Sequence, residues 1–127
     1  MSISSVFWVA LGGATGAVIR WLLALSLNQI SPLLAVGTLA ANGIGAFSMG
    51  VAIAWVQSAA HLPTAISLFV ITGFLGALTT FSTFTAESFT LLQQGSYFYF
   101  FTHLLLHVVG SLLCFSLGFI VFKLFSS

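Results

Sequence analysis

Four long apolar runs leave this chain few folds to choose from. They cover roughly residues 6–27, 33–56, 65–92 and 97–122, and each reaches the ~20 apolar residues that a helix needs to cross hydrocarbon. The breaks, 28–32, 57–63 and 93–96, are short and carry prolines, side-chain amides and a glycine, the residues that end helices. The expected fold is therefore an all-α membrane protein, a single domain of four transmembrane helices over 1–127, with no soluble domain attached.

Composition narrows the function as sharply as the fold. Charged residues make up 2% of the chain, against roughly 25% in a soluble domain, and they are Arg20, Glu87 and Lys123 alone. Nucleic-acid binding is excluded for want of a basic patch. No nucleophile and base stand in a recognisable constellation and no cofactor motif occurs, so an enzyme is not expected. Cys114 has no second cysteine to pair with and reads as a small core hydrophobe. The first run lacks a basic leader and is too long for a signal peptide, so it is expected to be a retained span.

Four spans return both termini to one side of the membrane, and orientation should then follow the Lys/Arg bias of the loops. Here Lys123 lies at the terminal side and Arg20 towards the opposite one. With the bias nearly nil, a chain can insert both ways, and two copies in opposite orientations would make an antiparallel dimer.

The polar residues inside the spans point to function, because hydrocarbon offers no water to satisfy them. The richest stretch is 73–87, GFLGALTTFSTFTAE, which gathers two glycines, five hydroxyls and the chain's only carboxylate, Glu87. A helix broken near 73–80 fits both this composition and the excess length of the third span, and a break frees carbonyls and amides of the kind that hold ions in transporters. Past the break, Phe81, Phe84 and Glu87 follow at intervals of three along one helical face, with Thr80 and Thr83 beside them. Phenylalanines at this spacing are ordinarily core, and the polar neighbours argue for more here. Asn42 sits deep in the second span beside a stripe of Gly37, Ala41 and Gly45; it reads either as interhelical glue or as a pore donor. Gly12, Gly13 and Gly16 suit close helix packing, within the chain or across a dimer seam. Arg20 is expected to snorkel towards the interface in a structural role. His103, His107 and Ser111 fall four apart on one face of the fourth span; no third metal ligand is evident, so interhelical hydrogen bonds or a wet face are the better reading. His61, in a predicted loop, carries no signal.

Three motifs together, GGATGAVIR at 12–20, GTLAANGIG at 37–45 and GFLGALTTFSTF at 73–84, resemble the Fluc (CrcB) family of fluoride channels, over essentially the whole chain. The resemblance implies a passive, fluoride-selective channel of a microbial inner membrane that lets accumulated fluoride leave and so confers resistance. It implies an antiparallel dual-topology homodimer with two pores and a structural sodium ion at the dimer interface, held by the backbone carbonyls of Gly76 and Thr79. By motif position the pore phenylalanines are Phe81 and Phe84, the pore asparagine is Asn42, and the carboxylate of the polar track is Glu87, with Ser82, Thr83 and Ser111 as further hydroxyls. Families of this kind can place hydroxyls a turn apart in the fourth span, whereas here Phe115 stands four after Ser111, with Cys114 and Ser116 alongside. The main alternative is a proton-coupled small multidrug exporter using Glu87. A third reading is a membrane subunit whose polar residues only pack helices.

Overall fold

The computed structural model describes residues 3–59 and 63–126; His61 lies outside them. All regular structure among the described residues is helical. Helix α1 is Ile3–Leu27 and α2 is Val36–Ser58. The third span, Thr64–Gln93, is two half-helices: α3, residues 64–78, and α4, Phe81–Gln93. Helix α5 fills the fourth span, Tyr97–Phe125. All four spans are long and apolar enough to cross a membrane, so this is a multi-pass membrane protein. The α2 start falls later than the sequence suggests, because Ala35 adopts a left-handed backbone (φ 46°) immediately before it.

Small residues set the packing, since in lipid helices associate through close contact and not through water exclusion. A Cβ at Gly16 would strike the Phe74 carbonyl and one at Gly73 would lie 2.7 Å from the Val9 carbonyl, so α1 and α3 touch backbone to backbone. Gly50 of α2 and Gly118 of α5 interlock reciprocally against the Phe115 and Phe47 carbonyls. The stripe of Gly37, Ala41 and Gly45 is likewise spent inside the chain: Gly37 abuts the α1 backbone at Leu23, Ala41 is fully buried, and Gly45 receives the Thr79 methyl. A Cβ at Gly12 would also strike the α3 backbone, while one at Gly13 would meet nothing within 4 Å.

Two stretches widen into π-helix, Leu68–Leu75 within α3 and Leu106–Gly110 within α5. Such widened turns recur at functional sites. The second carries His107.

Candidate ion pathway

The third span breaks at Thr79 and Thr80, whose backbones are extended (ψ 151° and 119°) between α3 and α4. A continuing helix would send the Thr80 N–H to the Gly76 carbonyl and the Thr83 N–H to the Thr79 carbonyl. Both donors are diverted. Thr80 N–H donates to Asn42 Oδ1 at 2.7 Å, and Thr83 N–H donates to the Thr80 hydroxyl, the N-cap of α4, at 3.2 Å. Gly76 and Thr79 thus lose their helical donors, and these are the two carbonyls that the resemblance singles out for a cation. The Ala77 carbonyl between them accepts from Arg20 Nε at 3.0 Å. Arg20 therefore braces the break rather than only reaching for the interface.

Asn42 closes the other side of the gap. Its Nδ2 donates to the Thr80 carbonyl at 3.1 Å and lies 3.0 Å from His107 Nδ1. One side-chain amide so replaces the backbone acceptor that the Thr80 N–H has lost and adds a second donor to the Thr80 carbonyl, which explains an asparagine deep in an apolar helix.

Around this knot lies a recess of about 350 Å³, lined by Asn42, Thr79, Thr80, Phe81, Phe84, His107 and Ser111 among others. Phe84 is buried, its ring stacked near His107 (4.8 Å between centroids) and His103 (5.4 Å). Phe81, tilted against Phe84 at 5.6 Å, is 78% exposed. Ser82 and Thr83 do not line the recess: with Thr80 they form a hydroxyl chain at the start of α4, Thr80 Oγ1 lying 3.0 Å from Thr83 Oγ1 and 3.4 Å from Ser82 Oγ.

Farther along α4, Glu87 Oε1 accepts from the Thr38 hydroxyl at 2.6 Å. Glu87 also lines a second recess of about 200 Å³ with Pro32, Leu33 and Gln94. His103 Nε2 lies 3.6 Å from Glu87 Oε2, too far for a hydrogen bond. Glu87, His103 and His107 each bring a potential ligand atom within 4.8 Å of the others. The fold supplies the third group that the two-histidine spacing lacked. Thr38, 2% exposed, was missed by the sequence reading, although it stands one turn before Asn42 and shares its face.

The arrangement is a run of uncharged donors and aromatic rings ending at one carboxylate. The sequence model described as "CrcB-like protein, Camphor Resistance (CrcB)" matches residues 7–119. The chain belongs to the CrcB family. Among its relatives, proteins named fluoride-specific ion channel FluC are 49% identical in Chromohalobacter salexigens (93% of this chain, 89% of that protein) and 47% identical in Tolumonas auensis (90% of each). The FluC protein of an Escherichia coli strain is 42% identical over 94% of each chain. The family of these relatives is one of ion channels, and this member is not an enzyme.

Proposed function

We propose that the chain is a passive fluoride-selective channel that exports cytoplasmic fluoride across a bacterial inner membrane. The observation that carries this reading is the convergence of Asn42, Phe81, Phe84 and Ser111 from three spans on one recess without a formal charge, in a relative of proteins named fluoride-specific channels. Fluoride is small and tightly hydrated, so a pore must replace its water with donors yet release it. A lysine would hold it too firmly. Hydroxyl and N–H donors offer neutral hydrogen bonds, and phenylalanine edges carry the positive part of the ring quadrupole.

The finer architecture belongs to the same proposal. Two copies in opposite orientations would form the dimer, each contributing a pore. The exposure of Phe81, which lines the recess, supports a partner surface there. A sodium ion would be held by the Gly76 and Thr79 carbonyls of both copies. Their diverted helical donors fit that role, because hard cations take carbonyl oxygens at half-helix ends. When bound, the ion supplies positive charge near the anion paths and a tie across the interface.

The test is fluoride efflux from liposomes holding the purified protein, with chloride as control and Phe84→Ile alongside. Selective efflux driven by the fluoride gradient alone, lost in the variant, is the expected result. No efflux above empty liposomes from folded protein would defeat the reading. Efflux of a cationic compound driven by a proton gradient and abolished in Glu87→Gln would establish the exporter instead.

A further inference from the structure

Among the described residues, the buried side-chain nitrogens and oxygens that lack a hydrogen bond are Glu87 Oε2, both ring nitrogens of His103, and His107 Nε2. All four belong to one cluster. Native proteins leave few such groups, and each calls for an explanation such as water or an ion. The nearest reading is a metal site, since two histidines and a carboxylate stand close enough together. The hydrogen bonds around Asn42 argue against it.

The Asn42 amide has one orientation. Thr80 N–H, which lost its helical acceptor, needs the oxygen, at 2.7 Å, and the NH2 is then left to donate to the Thr80 carbonyl, at 3.1 Å. The second amide proton is then directed to His107 Nδ1 at 3.0 Å. An amide NH2 cannot accept, so Nδ1 must present its lone pair, and the proton of a neutral His107 resides on Nε2. Both nitrogens are thereby closed to a cation: Nδ1 is engaged by the amide, and Nε2 carries the ring proton. What remains is a buried N–H donor, in a ring stacked on Phe84, with no acceptor of its own.

We propose that Asn42 is a positioning residue that locks the His107 tautomer, and that His107 Nε2–H is a donor to the anion passing this cluster. The anion's identity as fluoride rests on the function proposed above; the lock does not. A buried donor without a partner costs free energy, and a small anion or its water recovers it through a charge-assisted bond. The broken third span and the proton position on the fourth are coupled in this way through one side chain of the second. The amide protons of Asn42 itself are spent on Thr80 and His107.

Histidine-selective 15N NMR of the full chain in lipid bilayers tests this, with the His107 signals assigned by their loss in His107→Phe. The expected spectrum has a protonated Nε2 and an unprotonated Nδ1 on His107. Fluoride, but not chloride at equal ionic strength, should shift the Nε2–H signal. In Asn42→Asp the carboxylate accepts from Nδ1–H, so the proton should change nitrogen and the fluoride response should disappear. His107→Phe keeps the ring stacking and should lower fluoride efflux at least about tenfold. A wild-type proton on Nδ1, or an unchanged tautomer in folded Asn42→Asp, would overturn the lock. A locked tautomer with an Nε2–H signal that ignores fluoride, in protein that conducts it, would overturn the donor role. A locked tautomer in protein that conducts no fluoride would defeat the channel reading and leave the lock standing.

Discussion

Glu87 shows how a carboxylate is kept inside a span. Its Oε1 receives the Thr38 hydroxyl at 2.6 Å, and its side chain remains 22% exposed towards the second recess. Wet access and one short hydrogen bond together reduce the cost of the group. Thr38→Val keeps the side-chain shape and removes the donor, leaving that oxygen without its partner. We expect a loss of about 1–3 kcal/mol, read as a lower unfolding midpoint in denaturing detergent, with Thr38→Ser near wild type. Equal midpoints for valine and serine would show that the bond contributes nothing. Arg20 follows a similar logic: a guanidinium costly in hydrocarbon is retained by giving Nε to a carbonyl that the break has freed.

At the scale of elements, α1 is pressed against α3 through glycines whose missing Cβ atoms are a geometric requirement. Gly16→Ala places a methyl on the Phe74 carbonyl and against Leu78 N. Because backbone atoms cannot turn aside as a side chain would, the helices must separate, at about 1–3 kcal/mol. Gly13→Ala, which meets nothing within 4 Å, is the matched control, and comparing the two in the same unfolding assay checks the claim. The break between α3 and α4 depends on other elements: Arg20 from α1 and Asn42 from α2 hold its backbone groups, while Thr80 caps α4 locally. Its position, Thr79 and Thr80, lies at the end of the 73–80 window that the glycines and hydroxyls suggest. Glycine and threonine show that a helix is weak there. Which carbonyls are released depends on where Asn42 reaches across.

For the whole molecule, Lys123 Nζ lies 3.4 Å from Ser58 Oγ, so the end of α2 and the end of α5 share one side of the membrane. Such a chain has almost no charge to choose its orientation. If the active form pairs opposite orientations, lysines can separate them. Gln29→Lys with Gln94→Lys should bias the chain one way, and Gln57→Lys with Ser126→Lys the other. Each pair of changes alone should abolish fluoride efflux, and co-expression should restore it. Full activity from either set alone would show that opposed insertion is unnecessary.

What the sequence alone determined is whatever depends on local composition and period. Long apolar runs require membrane helices, because no other open structure satisfies its backbone in lipid. The family motifs likewise single out Asn42, Phe81 and Phe84, which the fold gathers at one recess together with Ser111. The tertiary structure alone decided who partners whom. Thr80 and Asn42 are 38 positions apart, Glu87 and Thr38 are 49, and Asn42 and His107 are 65. No periodicity within one helix encodes such pairs. They follow from how closely glycines let the spans approach, and from the need of every buried donor and acceptor to find a partner where no water competes.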